Sequence, residues 1–383
     1  MSSLLRRDAT YSSRRDAERM TNSPIPIAVV GLGMVADGHI TAYRELPDVQ
    51  IVAVVDPRAE RTREVAEKLA VPGFTSCAEM LRHVQPKIGC VLSTVASHRS
   101  NTELLANAGV HVLCEKPMTN NLPDALAIAQ VCERNGVQFM YGSSYRYLPT
   151  IVRARELIAS GVIGDVVLIE ERGVTGSGAD KFTPMSTAHY PDGTPGGGGF
   201  GMFDHGVHLL DIFPWIIGSP IDRVLGRGNY SGASMHTEYA VLEHENGAMG
   251  WLVYDEATVS SDMPWEGLFA SGLTWQHGLG FGGDPGQWLG EAASIRVHGT
   301  KGALRIYYYA NRMFLCLPSG AREIIVPTAA APAHFGRQLQ TFVDALRQSS
   351  QAPVGPATGI QALQTLLAIY RSADSRRWET VER

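Results

Sequence analysis

The chain has 383 residues, of which 44% are hydrophobic and 19% charged, a globular composition long enough for about two or three domains with a sizeable core. A net charge of −5 and a pI near 6.2 give no basic footprint for nucleic acid or an anionic membrane, so a small-molecule ligand is the expectation. The five cysteines, Cys77, Cys90, Cys114, Cys132 and Cys316, are odd in number and lack a C-x-x-C spacing, which reads as reduced thiols in a cytoplasmic protein and argues against a zinc site built on them.

In chain order, residues 1–23 form an arginine-rich extension without a signal-peptide apolar core, and Met20 is an alternative start. From Ile25, apolar runs alternate with amphipathic segments. The runs are Ile27 to Gly31, Ile51 to Asp56, Ile88 to Ser93, Val110 to Glu115 and Val137 to Tyr141. Helical patterns lie between them near Val35 to Glu45, Ala59 to Leu69, Ala78 to His83, Arg99 to Ala108 and Leu122 to Asn135. Continuous Val/Ile-rich runs separated by helices predict an α/β fold, a doubly wound parallel sheet covered on both faces, over residues 24–144.

Beyond this, residues 145–383 predict a second α/β domain with a large open, mostly antiparallel sheet. Its signals are a helix at Ile151 to Ala159 and strands at Val166 to Val174, Tyr239 to His244, Ala248 to Tyr254, Ser294 to His298 and Ala303 to Tyr309. Two closing helices follow from apolar spacing around Phe335 to Leu346 and Ile360 to Tyr370. Pro191 to Gly201 reads as a loop, and Asp255 to Glu291, with Trp265, Trp275 and Trp288, suits either sugar stacking or a subunit interface. The longest apolar run, Val207 to Ile217, is too short for a membrane span and is interrupted by Asp211 and Pro214.

Three local patterns carry chemistry. Gly31-Leu32-Gly33-Met34-Val35-Ala36 matches G-x-G-x-x-G/A between a strand and a helix, where the glycines allow the turn and the approach of a pyrophosphate to the helix N-terminus. Asp56, at the end of the second strand, can accept the ribose hydroxyls and favours NAD; Arg58 keeps NADP as the lesser alternative. Glu115-Lys116-Pro117 closes a buried strand and sets an ionisable pair at the sheet's C-terminal edge.

Further on, Asp204, His208 and Asp211 fall on one helical face, with His205 about 100° away. An imidazole supported by a carboxylate makes His208 the candidate acid/base, assisted by Asp204. No zincin spacing accompanies them, so no metal site is expected.

These residues, with Tyr145-Arg146-Tyr147-Leu148-Pro149 and the segment Leu157 to Gly164, resemble the glucose-fructose oxidoreductase, inositol dehydrogenase and rhizopine-catabolism (Gfo/Idh/MocA) family from Ile25 to Ala373. The resemblance implies a Rossmann domain followed by a larger α/β domain, and an NAD(P)-dependent dehydrogenase acting on a CH–OH group in sugar or inositol metabolism. It implies that Lys116 hydrogen-bonds the reacting oxygen, that His208 acts as acid/base, and that Gly31, Gly33, Met34, Val35, Ala36, Asp56, Arg58, Thr94, His98, Glu115 and Lys116 surround the cofactor. Ser93-Thr-Val-Ala-Ser-His98 departs from the family's Thr-Pro-Asn, which loosens the assignment of Thr94 and His98. Tyr145 and Arg146 are candidate substrate contacts, and a homodimer or homotetramer through the second sheet is expected. The family also includes enzymes that retain NAD(H) and oxidise a sugar or glycoside transiently, the alternative activity.

Overall fold

The computed structural model describes residues 23–174, 200–231, 234–255, 294–308, 311–326 and 333–382. The N-terminal extension, nearly all of the Gly/Pro-rich stretch and the Trp265, Trp275 and Trp288 region lie outside them.

The first sheet contains β1 (Ile25–Val30), β2 (Val49–Val55), β3 (Gly73–Phe74), β4 (Ile88–Val91), β5 (His111–Glu115) and β6 (Phe139–Gly142). All neighbours are parallel, in the order β3-β2-β1-β4-β5-β6. Helices α1 (Met34–Arg44), α2 (Ala59–Leu69), α3 (Cys77–His83), α4 (Val95–Asn107) and α5 (Leu122–Arg134) connect them. Ile27, Ala28, Val29, Ile88, Cys90, Val112 and Leu113 are fully buried, as strands packed on both faces demand. Local caps fix the helix starts: Ser76 Oγ accepts the Glu79 N–H at 3.2 Å and Asn121 Oδ1 that of Asp124 at 2.9 Å. Because the strand order reverses between β1 and β4, a crevice opens at their C-terminal ends.

The second half begins with a 3-10 turn (Ser144–Tyr147) and α6 (Pro149–Ala159). It continues through β7 (Val166–Val174), a kinked helical segment (Phe200–Gly206), α7 (Val207–Ile217), β8 (Ile221–Ser231), β9 (Ser234–His244) and β10 (Met249–Asp255). Four further strands, β11 (Ile295–Gly299), β12 (Ala303–Tyr307), β13 (Arg312–Leu317) and β14 (Gly320–Ile324), precede α8 (Ala333–Arg347), α9 (Pro356–Ser375) and β15 (Glu379–Thr380). They build a nine-stranded sheet, β14-β13-β12-β11-β7-β10-β9-β8-β15, in which β7 and β10 pair in parallel and the other neighbours antiparallel. Alternation buries Ile169, Ala240, Leu252 and Val297 on one face, while Tyr239 (39% exposed) and Trp251 (45%) stand on the other.

Sequence patterning did not indicate β3, β8, β13, β14 or β15. Glycines and charges interrupt β8, and β14 (Gly-Ala-Arg-Glu-Ile) is exposed along most of its length, so neither alternates. The C-terminal helices tie the halves together. Phe335 of α8 stacks on His39 of α1 at 3.8 Å, and Arg347 pairs with Asp48 at 2.6 Å.

Candidate active site

At the crevice, Gly31 has φ +100°, and a Cβ there would lie 2.4 Å from the Ser93 nitrogen, so only glycine fits. Gly33 is different: its backbone is extended, it precedes α1, and a Cβ would meet nothing within 4 Å. That open space lies at the helix N-terminus, where backbone N–H groups attract a phosphate. Met34 is exposed and Val35 half-buried on the first turn, whereas Ala36 is buried.

The loop is braced from β2. Asp56 Oδ2 accepts the Leu32 N–H at 2.8 Å, and Oδ1 accepts the Arg58 backbone N–H at 2.9 Å and its Nε at 2.8 Å. Burial pushes the Asp56 carboxyl up, but the Arg58 side chain and these N–H groups outweigh it and hold the group below its ordinary value. An ionised carboxylate thus stands just after β2 beside the glycine loop, with the 61%-exposed Arg58 guanidinium across it. Open space at Gly33, a buried small residue at Ala36 and this carboxylate together fit a nicotinamide dinucleotide.

Thr94 is the residue before α4, its hydroxyl 3.2 Å from that of Ser97. His98 is buried, with Nε2 at 2.9 Å from the Ser93 oxygen and Nδ1 at 3.0 Å from the Pro117 oxygen. The ring therefore ties the two loops that rim the crevice, and the structure directs neither nitrogen outward. Burial lowers its proton affinity against the pull of those carbonyls.

Lys116 follows β5, and its peptide bond to Pro117 is cis. The preceding Glu115 is held by His39 Nε2 at 3.0 Å and accepts the Lys116 N–H at 3.0 Å. His39 in turn meets the Tyr43 hydroxyl at 2.7 Å. Helix α1, which begins at the glycine loop, thereby anchors the backbone of Lys116.

From there Lys116 Nζ spans the two halves of the chain to Asp204, donating to Oδ1 at 2.7 Å and to the backbone oxygen at 3.2 Å. Asp204, His208 and Asp211 all turn toward residues 116–146, but they do not form one cluster. His208 stacks on Tyr145 with centroids 3.8 Å apart and planes 6° from parallel. Asp211 is buried against Arg146, whose Nη2 donates at 2.5 Å, and also accepts the Ser143 hydroxyl. Arg146 is thus committed to an ion pair, and Tyr145 to the His208 ring.

His208 is 9% exposed. Burial first, then the charge of Lys116, push its imidazole well below 6.5, so it is neutral at neutral pH and able to accept a proton. Two buried carboxylates that the sequence did not single out underlie this segment. Glu171 faces His205 at 3.2 Å, and Glu238 accepts the Met202 N–H at 2.5 Å. Among the described residues no group of His, Cys, Asp and Glu could hold a metal ion, and no helix is long and apolar enough to cross a membrane.

The chain is similar to several known proteins. D-glucoside 3-dehydrogenase of Escherichia coli is 26% identical over 253 residues, covering 61% of this chain and 70% of that protein. D-apiose dehydrogenase of Rhizobium rhizogenes is 25% identical over 363 residues, 91% of this chain and 95% of that protein. An oxidoreductase from Agrobacterium radiobacter, solved in complex with NAD+, L-tartaric acid and magnesium, shares the fold with a TM-score of 0.74 at 20% identity, covering 94% of this chain and 99% of that one. Residues 25–143 match the oxidoreductase family's NAD-binding Rossmann fold and residues 155–382 its C-terminal alpha/beta domain, so the chain belongs to the Gfo/Idh/MocA oxidoreductase family and is an NAD(P)-dependent dehydrogenase.

Proposed function

We propose that the chain transfers a hydride between nicotinamide and a carbon bearing a hydroxyl or carbonyl of a sugar, cyclitol or related polyol, with Lys116 and His208 at the reacting oxygen. In this reading residues 24–144 hold the cofactor and residues 145–383 shape the substrate site. NAD, when bound, supplies the hydride acceptor. The protein's own residues do the rest: Gly33 and the α1 N-terminus receive the pyrophosphate, and Asp56 receives the ribose hydroxyls and disfavours a 2′-phosphate.

The observation that carries the reading is the Lys116–Asp204 contact at 2.7 Å, which sets an ammonium donor between the two halves, beside a neutral imidazole. Lys116 donates a hydrogen bond to the substrate oxygen and stabilises the charge that develops as its proton leaves. His208 accepts that proton, and Asp204 fixes the direction of Nζ. In carbonyl reduction the same groups work in reverse, His208 returning the proton. Tyr239 and Trp251, exposed on the open face of the nine-stranded sheet, support pairing of two copies through that face.

The test is a screen of sugars, inositols, sugar acids and glycosides with NAD and with NADP, followed by absorbance of the reduced cofactor. Oxidised product in step with free NADH is expected with NAD. Product without net NADH would favour transient oxidation by retained cofactor, and no turnover of any hydroxyl compound would overturn the assignment.

A further inference from the structure

His205 and Glu171 take no part in the chemistry above, yet they form a tightly connected buried group behind it. His205 Nε2 lies 3.3 Å and 3.2 Å from the two carboxylate oxygens of Glu171. The same carboxylate accepts the Tyr254 hydroxyl at 2.8 Å and the Tyr308 hydroxyl at 2.5 Å. On its other side, His205 Nδ1 reaches the Tyr145 hydroxyl at 3.5 Å, the long edge of hydrogen bonding. Tyr145 is the ring on which His208 stacks, and the two imidazole centroids are 6.2 Å apart.

A carboxylate removed from water needs compensating charge as well as donors. The two tyrosines supply hydrogen bonds without charge; His205 supplies both. We propose that Glu171 holds His205 as an imidazolium behind His208, and that this pair acts as a positioning element which seats Tyr145 under the His208 ring and keeps His208 in its proton-accepting form. The inference rests on the reading of His208 as acid/base.

Burial and then Lys116 also favour the neutral form of His208, and a charged His205 adds to them. Lys116 is offset by Asp204 at 2.7 Å, and Arg146 by Asp211. His334 is pushed down to about 3, by burial first and then by His39 and Arg337, so it carries no charge at neutral pH. Glu171 is pushed up by its burial, but the charge and hydrogen bond of His205 and the hydroxyls of Tyr308 and Tyr254 outweigh this and hold it below its ordinary value. With both nitrogens of His205 protonated, Nε2–H serves Glu171 and Nδ1–H donates to the Tyr145 oxygen.

Imidazole 15N NMR of the full chain reads the charge of each histidine directly, with His205→Asn and His208→Asn spectra providing assignments. At pH 7 the expected result is a doubly protonated His205 and a neutral His208. In Glu171→Gln, which keeps the shape and an acceptor but removes the charge, His205 becomes neutral at pH 7 and the His208 titration moves up by about half a pH unit or more. A neutral His205 in the unaltered protein overturns the proposal, and this outcome does not depend on any variant folding. An unmoved His208 titration in Glu171→Gln overturns it as well. His208→Asn separates the two ideas: full turnover in that variant defeats the acid/base reading, whereas its loss alongside a neutral His205 defeats the positioning role alone.

Discussion

Gly33→Ala separates a glycine that the fold needs from one that a ligand needs. Gly33 has φ −73° and ψ −170°, and an added methyl meets no atom within 4 Å. In the free protein the substitution costs only the difference between glycine and alanine before a helix, about 0.5–1 kcal/mol. With a dinucleotide present the methyl occupies the space through which the pyrophosphate approaches the α1 N-terminus. Overfilling a close contact costs about 1–3 kcal/mol, which corresponds to about 5- to 150-fold weaker binding. NADH fluorescence titration, with a thermal melt as companion, reads both quantities. Gly31→Ala is the contrast, because its Cβ would meet the Ser93 backbone at 2.4 Å with or without cofactor, so its melting temperature falls as well. Unchanged NADH affinity in a well-folded Gly33→Ala protein would refute the placement of the pyrophosphate.

Asp211→Asn uncouples the buried Arg146 pair, and loss of one partner from such a pair costs about 3–5 kcal/mol; a lower urea midpoint with NADH affinity retained is expected. Glu238 is pushed by burial to about 7 against the Met202 N–H and the Tyr370 hydroxyl, from an ordinary 4.5. A raised folded-state value means its contribution is full below about 4.5 and lost as pH rises through 7, so Glu238→Gln melts above the unaltered protein at pH 8 and shows no such advantage at pH 5. Asp56→Ser removes the charge that repels a 2′-phosphate and frees Arg58 from its pairing, so the NADPH-to-NADH affinity ratio rises about tenfold or more by fluorescence titration.

The parts of the molecule legible in the sequence are those whose cause is local. The first sheet is visible because its strands are apolar on both faces, and α2 because charge and apolar positions alternate with helical period over Ala59–Leu69. The glycine loop and Asp56 are contiguous with their strands for the same reason. Other parts depend on meetings across the chain. Lys116 and Asp204 are 88 residues apart, Arg146 and Asp211 65, and Glu171 and His205 34. The helical spacing put Asp204, His208 and Asp211 on a common side, but it could not reveal that each engages a different partner. Asp204 goes to Lys116, His208 to Tyr145 and Asp211 to Arg146. His205 offered a signal, an imidazole directly beside an acidic residue in the same motif; its partner Glu171 sits on a strand that otherwise reads as ordinary sheet.

The central claim is that Lys116 stabilises the reacting oxygen, and kcat of Lys116→Met on the best hydroxyl compound from the screen tests it most directly. Loss of one such donor predicts a fall of about 10²–10³ in kcat, with NADH affinity and melting temperature retained. Full turnover by Lys116→Met would contradict the account.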